Sequence, residues 1–286
     1  VSGAKEAVSR AFLAAPCIDL DATLDGGQAF GWWAECGGYR GVVGGRLLRL
    51  SRGEGGVEVE ALDGEDASPA LPLLHGYLGL DDDLDALRAR YAGDCVLMRA
   101  MRDWPGLRLL RQDPWECLVG YICSANSNIG KIKANVAAMA GAYGKRVGHG
   151  ERDYAFPSPS RLAGASVEAL RELGLGFHAR YVVPAAEAVA GGSLVLEDVR
   201  SLPYLYARAM LMTLPGVGEK VADCVLAFSL GKREAFPVDV WVRRAVQDWY
   251  GLLPTMSDGA IGEWARGRFG LDAACVNQYL FHARRA

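Results

Sequence analysis

The sequence has no apolar run long enough to span a bilayer, no secretory pattern over its first residues, and no internal repeat or low-complexity segment. A membrane-spanning, secreted or solenoid protein is therefore not expected. None of the seven cysteines stands in a C-x-x-C pair, and an odd number does not suit a full set of disulfides; reduced thiols in an intracellular chain are expected. Only Cys224 and Cys275 follow Lys220, which excludes a four-cysteine iron–sulfur loop in that part of the chain. A strong charge of one sign is also lacking. The formal net charge of −3 nonetheless hides an asymmetry. Residues 1–98 carry 8 Lys/Arg against 16 Asp/Glu, and residues 99–286 carry 23 against 18. An acidic chain overall argues weakly against a nucleic-acid partner, and the basic second part restores that possibility.

Residues 1–98 read mainly as β. Short apolar pieces at 11–13 and 18–20 precede a strand-like stretch from Gln28 to Trp33. Tyr39–Val43, Arg46–Ser51 and Val57–Leu62 follow, separated by glycine pairs. Strands of four to six residues joined by glycine turns make an antiparallel meander. Helices are expected over 71–78 and 84–91, the second entered by Asp81-Asp82-Asp83, read as an N-cap and first-turn device. From about residue 99 the periodicity is helical. Asp113-Pro114 opens an apolar helix over 115–124; Asn126-Ser127-Asn128 breaks it before a helix over 129–143. Those three polar residues suit either helix caps or a tip that enters a groove. A glycine turn at 174–176 then presents Phe177 and His178.

The richest stretch runs from Leu214-Pro215-Gly216-Val217-Gly218-Glu219-Lys220 to Asp223-Cys224, with Val238-Asp239 beyond it. Apolar spacing predicts a helix on each side of the glycines, giving a helix-hairpin-helix over about 204–230. Its tip offers backbone N–H groups to a phosphate. Lys220 falls in the first turn of the second helix, where the macrodipole disfavours an ammonium, and Asp239 follows 19 residues later. Spacing alone leaves two readings open: a neutral amine nucleophile with a carboxylate, or a solvated lysine and an N-cap aspartate.

These residues resemble the helix-hairpin-helix DNA glycosylases and, within them, the 8-oxoguanine DNA glycosylases. The likeness extends to Gly26-Gly27-Gln28-Ala29-Phe30-Gly31-Trp32, to Asp113-Pro114-Trp115-Glu116-Cys117-Leu118, to Ile122-Cys123-Ser124-Ala125-Asn126-Ser127-Asn128-Ile129, to Phe156-Pro157-Ser158, and to Leu173-Gly174-Leu175-Gly176-Phe177-His178-Ala179-Arg180-Tyr181. It spans residues 26 to 281. It implies an α+β fold: an N-terminal twisted antiparallel sheet (TBP-like, residues 1–98), then two all-α subdomains (99–286) around a cleft.

The resemblance also implies roles. Lys220 attacks C1′ of the damaged nucleotide, and Asp239 stabilises the cationic sugar and helps Lys220 lose its proton; the resulting Schiff base supports β-elimination. The Gly27 carbonyl accepts N7–H of 8-oxoguanine, Cys224 and Phe281 sandwich the base, and Asn277 or Gln278 meets its Watson–Crick edge. Asn126, with Ser127 and Asn128, fills the hole left by the flipped nucleotide. Phe177 wedges beside the estranged base, where the family usually has tyrosine. His178 and Lys131 face the opposite strand, where the family usually has arginines; both changes remove planar donors that read an opposite cytosine. Gly216, Val217 and Gly218 hold a DNA phosphate near Trp241, which replaces a common histidine. Neither metal nor redox cofactor is implied, and the expected partner is duplex DNA containing 8-oxoguanine, bound by a monomer located with the DNA. Two rivals stand beside this reading. One is a glycosylase for alkylated bases, which Lys220 and Gly27 disfavour; the other is a non-catalytic hairpin module that binds DNA without cutting it.

Overall fold

A computed structural model describes residues 8–286. Five antiparallel strands form one sheet in the order β1-β5-β4-β3-β2: β1 (Ser9–Ala14), β2 (Trp32–Glu35), β3 (Gly38–Val43), β4 (Arg46–Gly53) and β5 (Gly56–Ala61). Pairs such as Leu50↔Val59 and Leu48↔Ala61 set the register. Each of these pairs is buried on one face, beneath Leu20 and Leu24 of α1 (Leu20–Leu24) and Leu74 of α2 (Leu71–Tyr77). Burial of that face fixes the pairing, because a one-residue slip would turn it to water.

The helices follow: α3 (Leu84–Arg90), α4 (Cys95–Asp103), α5 (Pro114–Ile122), α6 (Ile129–Tyr143), α7 (Pro159–Ala163), α8 (Val167–Leu170), α9 (Ala179–Ala190), α10 (Leu196–Ser201), α11 (Tyr204–Leu211), α12 (Glu219–Phe228), α13 (Val240–Tyr250), α14 (Asp258–Phe269) and α15 (Ala273–Arg285). Two apolar clusters organise them. One joins α5, α6, α9, α11 and α12. The other joins α13, α14 and α15 to Leu84 and Leu87 of α3 and to Leu97, Ala100 and Met101 of α4. The sheet-then-helices order matches the α+β expectation, and Asp83 caps α3 as its position implied.

Two expectations differ in detail. The boundary after residue 98 falls inside α4, whose apolar side packs on the C-terminal helices. The strand expected from Gln28 starts only at Trp32. Gln28 is fully buried, and its amide serves main-chain groups instead of a ladder: Nε2 donates to the carbonyls of Thr23 (3.2 Å) and Arg108 (2.8 Å), and Oε1 accepts from Leu110 N–H (3.0 Å). These bonds fasten the Gly26–Gly31 segment to residues 107–112, beside the seam between the two helical clusters. The buried backbone polar groups there are satisfied by side chains, a solution that strand periodicity does not reveal.

Candidate active site

The hairpin is built by α11 and α12. Val217 is buried, and its N–H donates to the Leu214 carbonyl at 3.1 Å, so this residue anchors the turn and its N–H is already committed. Gly216 adopts φ +81°, and the Tyr181 ring lies 2.4 Å from where a Cβ would stand. Only glycine meets both demands. Gly216 and Gly218 are exposed, and α12 begins after Gly218 with no side-chain cap. The N–H groups of its first turn are thus left for an outside acceptor. Further along α12, buried Asp223 accepts from Tyr204 Oη at 2.7 Å and lies 3.3 Å from the Arg208 guanidinium. Burial raises its carboxyl to about 6, against the pull of Arg208. This contact locks α11 to α12 one turn beyond Lys220.

Lys220 is half-buried. Its Nζ donates to Ser124 Oγ at 2.8 Å and sits 5.2 Å from the centroid of the Tyr121 ring. Asp239 caps α13, Oδ1 accepting from Trp241 N–H (2.9 Å) and Val242 N–H (2.8 Å). The cap reading that spacing left open is therefore realised for Asp239, yet it does not exhaust the residue, because both Asp239 and Lys220 line one cavity of about 520 Å³. Burial pushes the Asp239 carboxyl above the ordinary aspartate value; the two N–H donors and the charge of Lys220 pull it back down.

That cavity lies at the seam between the two helical clusters. Its walls include Gly27 and Phe30 from the sheet side, Cys224 from α12, and Asn277, Gln278 and Phe281 from α15. Gly27 has φ +89°, and a Cβ there would meet Ile129 Cδ1 at 2.8 Å and Phe281 Cε1 at 3.2 Å. The missing side chain is what leaves the main chain at the cavity wall. Burial raises the Cys224 thiol to about 12, so it presents a neutral sulfur. Asn277 is buried and its Nδ2 donates to the Pro237 carbonyl at 2.8 Å, two residues before Asp239; that half of its amide is committed to the backbone. Gln278 Nε2 points to the Gly26 carbonyl at 3.4 Å, the outer limit of a hydrogen bond.

Around the mouth, Asn126 is exposed with φ +51°, the one non-glycine residue with positive φ among the described residues. Ser127 Oγ is buried without a partner. Asn128 caps α6, its Oδ1 accepting from Lys131 N–H at 2.9 Å. Exposed Lys131 reaches the turn at Gly174, its Nζ 3.2 Å from where a Cβ would stand. Phe177 is 41% exposed. Trp241 is half-buried at the start of α13 and lines the cavity. His178 departs from the expectation of a free side chain facing DNA: it is 5% exposed, with both ring nitrogens engaged inside the protein.

Tyr121 and Ser124 were not singled out in the sequence. The Tyr121 hydroxyl donates to the carbonyls of Gly27 (3.3 Å) and Gln28 (3.1 Å), and its ring stacks on Phe228 at 5.6 Å. It forms the floor under Lys220. Hydroxyls at 121 and 124, one turn apart in an otherwise apolar helical run, were the available signal.

Residues 119–263 match the HhH-GPD superfamily of base excision DNA repair proteins, and residues 12–118 match the N-terminal domain of 8-oxoguanine DNA glycosylase. The chain belongs to the 8-oxoguanine DNA glycosylase family. The glycosylase is 33% identical over 273 residues to the N-glycosylase/DNA lyase OGG1 of Arabidopsis thaliana, covering 92% of this chain and 73% of that protein. Its fold is similar to the Clostridium acetobutylicum 8-oxoguanine glycosylase/lyase in complex with duplex DNA bearing cytosine opposite 8-oxoguanine. That likeness has a TM-score of 0.88 at 30% identity over 94% of this chain and 92% of the other. It is also similar to MBOgg1 in complex with a low affinity DNA ligand, with a TM-score of 0.90 and 30% identity over 98% of each chain.

Proposed function

We propose that this glycosylase removes 8-oxoguanine from duplex DNA in base excision repair and cuts the strand at the resulting site. The observation that carries the reading is the convergence of Lys220, Asp239 and the bare main chain of Gly27 on one cavity of about 520 Å³. A base cannot reach such a cavity while stacked, so the damaged nucleotide is flipped out of the duplex. Asn126 occupies the vacated space and Phe177 wedges beside the unpaired partner. Phosphates sit against the uncapped first turn of α12 at Gly216 and Gly218.

Within the cavity, the Gly27 carbonyl accepts N7–H of 8-oxoguanine. Guanine carries a lone pair at N7, so two acceptors would face each other, a mismatch of about 1–3 kcal/mol. Cys224 and Phe281 hold the two faces of the base, and Gln278, whose amide is the less committed of the two, meets its edge. The Lys220 amine attacks C1′, the N-glycosidic bond breaks, and the base departs with its electron pair. Asp239 stabilises positive charge on the sugar in that transition state. Ring opening gives a Schiff base on Nζ; loss of a C2′ proton then expels the 3′ phosphate. Ser124 Oγ holds Nζ toward the cavity before attack.

The test is incubation with a duplex carrying one 8-oxoguanine, reading base release and strand cleavage separately. Wild type is expected to do both, and Lys220→Gln neither. Release from an alkylated-base duplex but not from an 8-oxoguanine duplex would transfer the assignment to the alkylation repair enzymes, and binding without release would leave only a DNA-binding module.

A further inference from the structure

His178 follows the exposed Phe177, yet it is buried, and it spans two segments that are far apart in sequence. Its Nδ1 lies 3.0 Å from the Leu175 carbonyl oxygen, in its own glycine turn. Its Nε2 lies 2.8 Å from the Ala125 carbonyl oxygen, in the loop before α6. A carbonyl oxygen only accepts. A neutral imidazole carries one N–H, so one of its nitrogens would turn a lone pair toward an oxygen at hydrogen-bond distance. Turning the ring over does not relieve this, because C–H groups would then stand at 2.8–3.0 Å, inside the ~3.3–3.6 Å of C–H···O contacts. Only the doubly protonated ring satisfies both carbonyls.

The second contact sits at a particular place. The Ala125 carbonyl belongs to the peptide that leads into Asn126, whose φ of +51° is a conformation costly to a side chain and held by its surroundings. The Phe177 ring packs against the same imidazole, with centroids 4.0 Å apart and the planes tilted by 35°. We infer that His178 is held as an imidazolium and acts as a positioning residue that sets Asn126 and Phe177 as one unit for entry into DNA. This goes beyond the reaction proposed above and rests on that reading only for the roles of Asn126 and Phe177.

The ionisable groups on the surrounding elements are mostly cationic. Lys131 of α6 lies against Gly174, Lys220 of α12 holds Ser124, and Arg180 and Tyr181 start α9. Arg171 and Glu172 precede the turn, both exposed. With both bonds made, the loop is held to the turn; a side chain that donates to only one of the two carbonyls leaves the other unpaired, whereas a guanidinium at this position can donate to both.

The test uses the full chain. Imidazole ¹⁵N spectra of the free protein, with His178 assigned by its loss in His178→Gln, are expected to show both nitrogens protonated under the conditions of the binding measurements. Affinity for a duplex containing a stable abasic-site analogue is then compared for wild type, His178→Gln and His178→Arg at one pH. His178→Gln is expected to bind about tenfold more weakly than wild type, the equivalent of one charge-assisted hydrogen bond, whereas His178→Arg, whose guanidinium can donate to both carbonyls, is expected to bind close to wild type. A single protonated nitrogen overturns the inference, as does one affinity shared by all three proteins. Neither measurement requires base release, so a failure of the excision reading remains distinguishable from a failure of this one.

Discussion

At the scale of single residues, the site divides into groups that chemistry makes recognisable and groups that only packing defines. Lys220, Asp239 and Gly27 stood out in the sequence by residue type and setting, and the fold brings the three to one cavity. Tyr121 and Ser124 did not stand out, since a hydroxyl in an apolar helix gains its meaning from the lysine that folding brings over it. Asn277 shows the same limit from the other side: its amide, expected at the base, supports the chain leading to Asp239. Asn277→Ala is expected to cost about 1–3 kcal/mol in thermal unfolding by leaving the Pro237 carbonyl unpaired. It should also slow single-turnover excision more than it weakens duplex binding. In the proposed mechanism the raised Asp239 carboxyl sets the acid limb of excision. Because the carboxylate is the working form, excision should fall as pH drops through a value above the ordinary aspartate range, and Asp239→Asn should abolish that limb together with most of the rate. Glu116 provides a control away from the chemistry. It lines a separate cavity of about 400 Å³ between the sheet and α6, and burial raises its carboxyl to about 8. Its folded value exceeds its unfolded one, so its stabilising contribution is complete below the glutamate range and is lost as pH rises through about 8. The stability advantage of Glu116→Gln over wild type should therefore grow from about pH 5 to about pH 8 and then level off, with no matching change in excision.

At the scale of elements, the hairpin was found by its glycines, yet the two glycines differ. Gly216 requires its positive φ and receives the Tyr181 ring; Gly218 has φ −93° and open space where a Cβ would be. Gly216→Ala is expected to cost on the order of 1–3 kcal/mol and to weaken duplex binding, while Gly218→Ala should unfold close to wild type. Circular-dichroism melts and fluorescence anisotropy on the two variants separate these outcomes. Sequence periodicity located α11 and α12, because an apolar stripe at helical spacing survives without knowledge of its partner. It could not show that Tyr181, from a different helix, fills the hairpin turn. It also misread Gln28 to Gly31 as a strand, because the main-chain groups that the Gln28 amide serves in place of a ladder lie more than 75 residues away in sequence.

At the scale of the whole molecule, the order of sheet and helices was legible and the division between them was not. Helix α4 straddles the expected boundary and buries Leu97, Ala100 and Met101 against the C-terminal helices. Cutting the chain between residues 98 and 99 should therefore yield two pieces with poorly dispersed amide spectra when expressed apart; well-dispersed spectra would show independent folding. Long-range packing matters for the proposed function in the same way, since Lys220 and Asp239 stand on elements of different clusters and the cavity they line is the seam between them. The central claim, that this seam places an amine nucleophile against the sugar of a flipped 8-oxoguanine, is tested most directly by borohydride reduction during turnover, followed by mass mapping of the cross-linked peptide. A single DNA adduct on Lys220, absent in Lys220→Gln, is the predicted result. Base release with no adduct, or an adduct mapped to another residue, would contradict it.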